Sequence, residues 1–183
     1  AADIWVETPG DLTVDTIFSR TDVKLDAVGS IMDMAEGSPL TPDLNIRSDD
    51  MTLIARTGSI GSLSTPLDVG VNPDGRIYAA SLTAGQEVFL NGPSGEHFNI
   101  GSVESGGSIG LSAANTMLVD GGVTAPGGVS LTSGGTTTLS TQADVQSVVG
   151  PLQVRAGALV MQDDGVEAAR LRAATGTIDI ETL

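Results

Sequence analysis

The sequence predicts an all-β chain wound as a parallel β-solenoid (β-helix), with roughly 20 residues in each coil. Three observations carry that expectation. Apolar and polar residues alternate over short segments along almost the whole chain, the signature of strands with one face buried. Turn formers separate these segments at intervals of about eight to twelve residues, as in all-β architectures. Rings are scarce: although 40% of the 183 residues are hydrophobic, there are one Trp, one Tyr and three Phe. A sandwich or barrel also suits short strands at this spacing, but a sandwich core about 10 Å thick usually recruits several buried aromatics. The narrow interior of a solenoid takes stacked rows of Val, Ile, Leu, Ala and Thr, which gives the shortage of rings a physical cause.

Ile4 and Val6 open the chain in alternation, followed by Leu12/Val14 and by Val23, Leu25 and Ala27 against Lys24 and Asp26. Met32, Met34, Pro39 and Pro42 then break the pattern, so a loop or extension over 31–43 is expected within a single solenoid spanning 1–183. Alternation resumes at Leu44/Ile46, Met51/Leu53/Ala55, Leu67/Val69/Val71, Phe98/Ile100 and Ile109/Leu111/Ala113, and again at Val129/Leu131, Leu152/Val154 and Ile178/Ile180. Helix propensity is fair over Val166 to Ala174 alone, and that segment reads better as a strand with a bulge. The turns are Pro9-Gly10, Pro73-Asp74-Gly75, Asn91-Gly92, Asp164-Gly165 and the Gly-Gly pairs at 106, 121, 127 and 134, where glycine accepts positive φ.

The tripeptide Gly-Ser-Ile occurs at Gly29, Gly58 and Gly107, and Gly-Thr-Ile at Gly176, with separations of 29, 49 and 69 residues. These are close to three, five and seven steps of a unit of about ten residues, one strand plus one corner. About nine coils rising about 4.8 Å each would give a rod of roughly 40 Å.

The charge is strongly acidic, 23 Asp and Glu against 8 Lys and Arg, a net of -15. Nucleic acid and anionic membrane surfaces need a cationic partner and are therefore excluded. No apolar run approaches the roughly 18 residues of a spanning helix, so no membrane insertion is expected. The absence of Cys removes disulfides, thiolate nucleophiles and Cys metal sites. Ala1 stands where an initiator Met would, so the chain reads as a mature or excised piece of something longer.

The stretch Val119-Asp120-Gly121-Gly122-Val123-Thr124-Ala125-Pro126-Gly127-Gly128-Val129-Ser130-Leu131-Thr132-Ser133-Gly134-Gly135 resembles the repeats of filamentous-haemagglutinin-type adhesins, the large exoproteins of two-partner secretion. Arg56-Thr57-Gly58-Ser59-Ile60-Gly61 with Pro66-Leu67-Asp68-Val69 is similar to a unit recurring in giant bacterial β-solenoid surface proteins. The likeness covers about residues 10 to 160 and rests largely on strand-and-turn physics. It implies a right-handed parallel β-helix, export to the cell surface or medium, and a role in adhesion or as a stiff stalk. It carries no active site and no cofactor.

An enzyme acting on acidic polysaccharide would need paired carboxylates or a base beside Ca²⁺. The sole His, His97, lies in the turn Pro93-Ser94-Gly95-Glu96-His97 and reads as a solvated loop residue, so no enzyme is expected. Calcium candidates are the acidic pairs Asp49/Asp50 and Asp163/Asp164, with further turn carboxylates at Asp74 and Asp120; stacked acidic turns could supply its six to eight oxygens. The bland alternative is that these are solvated corner residues, and the Gly-Gly-x-Gly-x-Asp calcium repeat is missing. The run Thr136-Thr137-Thr138 is too isolated for an ice-binding ladder, and no Gly-Lys-Ser/Thr accompanies the Gly pairs, so no phosphate loop is expected. Trp5, Ile54, Phe89, Leu118 and Val160 fall on the face that alternation assigns to solvent, making them interface candidates, foremost Trp5. Neither chain end looks like a polar cap, so partners are expected end to end: further copies or adjoining coils. A host-cell or surface glycan or protein receptor is the other expected partner.

Overall fold

A computed structural model describes residues 2–34, 44–83 and 85–183 of the chain. Among them are nineteen strands and no helix. The strands pair in parallel as a β-solenoid of about seven turns, recurring roughly 23 residues apart. Three ladders run the length of the stack. The first joins Ile4–Thr8, Val23–Ala27, Met51–Ala55 and Ile77–Ser81 to residues 102–105, Gly122–Ala125, Asp144–Ser147 and Arg170–Ala173. The second joins Leu12–Val14 and Ile31–Asp33, through a bridge at Ile60, to Val88–Gly92, Ile109–Ala113, residues 129–133 and 152–156, and Ile178–Thr182. The third contains Ile17–Phe18, Ile46–Ser48 and residues 69–71, then residues 98–100, Met117–Val119, 137–139 and 159–161.

The isoleucines of the repeated tripeptide share one column: Leu12, Ile31, Ile60, Val88, Ile109, Val129, Leu152 and Ile178. Neighbours in it stand between 19 residues (Leu12 to Ile31) and 29 residues (Ile31 to Ile60) apart. The separations of 29, 49 and 69 are thus one, two and three whole coils rather than steps of ten. Coils are longer and fewer than expected, and about seven rises of about 4.8 Å give a stack of roughly 34 Å.

Alternation becomes burial because inward side chains stack on their own kind. One inward row of the first ladder reads Val6, Leu25, Leu53, Ala79, Val103, Val123, Val145 and Leu171. The next inward position is small throughout: Thr8, Ala27, Ala55, Ser81 and Ser105 in one run, Ala125, Ser147 and Ala173 in the other. Here the chain turns toward the second ladder, and a long side chain would fill the bend. The serines also satisfy corner carbonyls: Ser81 Oγ donates to Gly58 O at 2.7 Å, Ser105 Oγ to Gln86 O at 2.8 Å and Ser147 Oγ to Gly127 O at 2.6 Å. Each acceptor is the corner residue of the preceding coil.

That corner explains the glycines differently from the sequence expectation. Positive φ occurs at Gly61, Gly85, Gly95 and Gly165 among the described residues, and at none of the Gly-Gly pairs. Two residues before the isoleucine column stand Gly10, Gly29, Gly58, Gly107, Gly127, Gly150 and Gly176, with Gln86 the exception. A Cβ on Gly58 would lie 2.5 Å from Ser30 N and 2.6 Å from Gly29 C, and one on Gly176 would lie 2.0 Å from Gly150 O. Consecutive coils approach closely here, and only hydrogen fits between them. Asn91-Gly92 and Gly134-Gly135 are no turns at all, lying inside Val88–Gly92 and Val129–Leu139.

Of the expected loop over 31–43, Ile31–Asp33 is a strand of the second ladder and 35–43 lie outside the described residues. In the ambiguous Val166 to Ala174 segment, Arg170–Ala173 is a strand, preceded by a turn rather than a helix. Rings fit onto glycines of neighbouring strands: Phe89 lies over Gly110 and Tyr78 over Gly101, where an added Cβ would meet ring carbons at 2.5 and 2.4 Å.

Candidate functional site

The polar chemistry of the surface is spread along the stack, and most of it ties one coil to another. Asp26, on the outer row of the first ladder, is 4% exposed. Its two oxygens accept from Arg56 Nε at 2.8 Å and Nη2 at 2.7 Å, a bidentate pair spanning adjacent coils. That hydrogen bond, then the charge of Asp26, raises the Arg56 pKa above its ordinary value. Arg76 reaches Asp120 Oδ2 from both Nε and Nη2 at 3.1 Å. Arg47 meets Glu96 at 3.3 Å, and Glu96 lies across Gly70 to do so. None of these pairs was singled out from sequence. Their partners stand 30, 44 and 49 residues apart, which reads as one or two coils only once the coil length is known.

The calcium candidates are placed apart. Asp49 and Asp50 sit at the corner before Met51–Ala55, and Asp163 and Asp164 at the corner before Arg170–Ala173, several coils away. Asp50 Oδ1 accepts from Arg76 N at 2.7 Å, while Asp49 Oδ1 accepts from Asn72 Nδ2. Asp163 Oδ1 accepts from Gly165 N at 2.7 Å. Asp164 Oδ1 accepts from Glu167 N at 2.8 Å and Val166 N at 2.9 Å, and these two bonds lower its pKa. The sign follows: what this turn gains from the carboxylate is present above the ordinary carboxylate pKa and is lost as pH falls through the depressed value. No group of three or more His, Asp or Glu able to hold a metal occurs among the described residues. One oxygen of each of these four carboxylates thus accepts from an N–H donor at its corner. Calcium at millimolar concentration is accordingly expected to shift the thermal midpoint by less than about 1 °C; a rise of several degrees, reversed by chelator, would assign them to the ion.

The interface candidates do not converge. Trp5 and Ile54 point outward from the first ladder, Phe89 from the second, and Leu118 and Val160 from the third. Ile54, Phe89 and Leu118 are half-buried by neighbouring coils. Trp5 is 64% exposed, with Lys24 Nζ 4.7 Å from its ring centroid. His97 is exposed in its turn. Near the N-terminal end, Glu7, Thr8, Pro9, Asp26, Val28 and Arg56 line a shallow depression of about 360 Å³. It holds two carboxylates, but both oxygens of Asp26 are taken by Arg56, which leaves that group poorly placed to pass a proton.

Stacked parallel ladders, a sealed aliphatic interior and coil-to-coil polar contacts define a parallel β-solenoid repeat protein. No known protein family, curated protein or solved structure matches the chain.

Proposed function

We propose that the chain is a non-enzymatic extracellular module, a stiff β-solenoid segment of a bacterial surface adhesin or surface filament. The observation that supports this best is where the outward charges go. Arg56, Arg76 and Arg47 reach along the stack to acids on other coils, so they fasten the rod rather than gather round a reacting group. Continuous backbone ladders add stiffness along the same axis. In this reading the mechanism is mechanical: the rod holds its exposed corners away from the surface that bears it, where a host-cell or surface glycan or protein can meet them.

A second reading is glycan binding, favoured by the exposed ring of Trp5 on the same strand as Glu7, beside the depression. A ring face next to polar groups is a common way to hold a sugar. Incubation with a panel of acidic and neutral glycans separates the cases. The module reading expects no new reducing ends. Glycan retained by the wild type and released by Trp5→Ala would favour the second reading, and new reducing ends would overturn both.

A further inference from the structure

We propose that Asn91-Gly92 is a self-modification site that works as a one-way latch. While the coils on either side of it are joined, the Asn91 amide helps to hold them; once they part it is hydrolysed, and they do not rejoin as before. The inference goes beyond the module reading and does not depend on it.

This is the one Asn-Gly step of the chain. Glycine has no side chain to shield its own nitrogen, so after an asparagine that nitrogen approaches the side-chain carbonyl with least hindrance. Gly92 N attacks Asn91 Cγ and a C–N bond forms, while Nδ2 leaves as ammonia with the proton that the backbone nitrogen gives up. Water then opens the imide ring at one carbonyl or the other. The product is aspartate at 91 or its isomer, in which the main chain runs through the side-chain carbon. Water is consumed and ammonia released, with no change of oxidation state.

In the folded stack the step is blocked. Val88–Gly92 is an extended strand, and the attack needs the Asn91 backbone turned well away from that conformation. The ladder prevents the turn from both sides. Phe89 N donates to Ile60 O at 2.8 Å, Ala114 N donates to Gly92 O at 2.8 Å, and the Phe98 ring rests on Gly92. The amide is engaged as well: Asn91 Nδ2 donates to Asp68 Oδ1 at 2.6 Å, across the register with the coil before. Asp68 is fixed in turn, because its backbone N donates to Asn45 Oδ1 at 2.8 Å.

Parting of the coils frees the glycine nitrogen, and either product then weakens the joint for good. Aspartate at 91 sets a second carboxylate where a donor had faced Asp68, and like charges opposite each other on neighbouring strands oppose pairing. Onward from Asn91 the row runs through Ser112 and Thr132 before it reaches Arg155, which is paired with Glu181 at 3.0 Å. The isomer lengthens the main chain just before Gly92 and throws it out of register with Ala113.

Incubation of the 183-residue chain at mildly alkaline pH, folded in buffer or unfolded in guanidinium chloride, followed by peptide mapping with mass spectrometry, tests this. Conversion at Asn91 is expected to be at least about tenfold slower in the folded chain. Returned to buffer, converted chains should refold with a thermal midpoint about 3 °C or more below that of unconverted ones. Asn91→Asp made directly should show the same fall, and the fall should shrink by about half when Asp68 is replaced by Asn, which exchanges donor and acceptor. Equal conversion rates in the folded and unfolded chains would overturn the guard. Converted chains or Asn91→Asp with the wild-type midpoint, or a fall that Asp68→Asn leaves unchanged, would overturn the latch.

Discussion

Gly58→Ala is expected to lower the stability of the chain by about 3 kcal/mol, a fall of about 9 °C in thermal midpoint at this size, whereas Gly10→Ala changes it by no more than about 0.5 kcal/mol. Both occupy the same column and undergo the same chemical change. In each, alanine narrows the unfolded ensemble and so favours folding by about 0.5 kcal/mol. What differs is the neighbour. At Gly58 the new methyl would lie 2.3 Å from Ser30 Oγ, 2.5 Å from Ser30 N and 2.6 Å from Gly29 C. The hydroxyl could rotate away, but the backbone of Ser30 cannot, because its ladder partners fix it: Ile31 N donates to Ser59 O at 2.9 Å, and Thr57 N to Val28 O at 2.8 Å. The coils must separate at that corner or the strand at Ile60 must shift, and either lengthens rungs on both sides. Equal midpoints for the two variants, measured by circular dichroism below any assembly concentration, would mean that close approach is not why the column is glycine.

How much of this was legible in the sequence follows from what each signal depends on. Period-2 alternation reports one strand's inward face, so Val23/Leu25/Ala27 and Met51/Leu53/Ala55 were readable one at a time. The parallel stack followed from the shortage of rings, since a row such as Val103, Val123 and Val145 leaves no room for them. Coil length was not readable in the same way. It varies with what is inserted at the corners, such as Gly61 to Pro66 between Ile60 and Leu67, and a repeated tripeptide marks whole turns without saying how many strands lie between. Gly134-Gly135 shows a second limit. A Gly pair does not by itself mark a corner: here the pair lies within a strand, where Gly134 yields to Ala114 O, 2.4 Å from where a Cβ would stand. The ion pairs were hidden for a third reason: Asp26 and Arg56 meet only because the chain travels once round between them. The acidic corners were visible, but whether their oxygens face water, an ion or backbone N–H groups depends on the coil alongside.

Phe98→Ala is expected to cost more than any substitution of an exposed ring, about 4 kcal/mol, against about 1.5 kcal/mol for Phe98→Leu. Phe98 is 1% exposed and the largest side chain fully buried in the stack. It stands on the third ladder, paired in register with Met117, and its ring presses on the backbone of Gly92, where a Cβ would come within 2.6 Å of it. The interior is otherwise filled by aliphatic rows whose backbones are held at the ladder spacing, so the coils above and below cannot close in on the space a ring leaves. A cavity in a solenoid is therefore expected to remain open, which puts the cost toward the upper part of the usual range for aromatic truncation. Leucine refills most of that volume and so restores most of the loss. Trp5→Ala, removing a larger ring that is 64% exposed, should change monomer stability by less than about 0.5 kcal/mol. Urea unfolding of the three variants at one low protein concentration measures the order directly. A Phe98→Ala loss below about 1 kcal/mol would show that the rungs do relax around a void. The stack would then be softer across its axis than its ladders suggest, and a poor stalk.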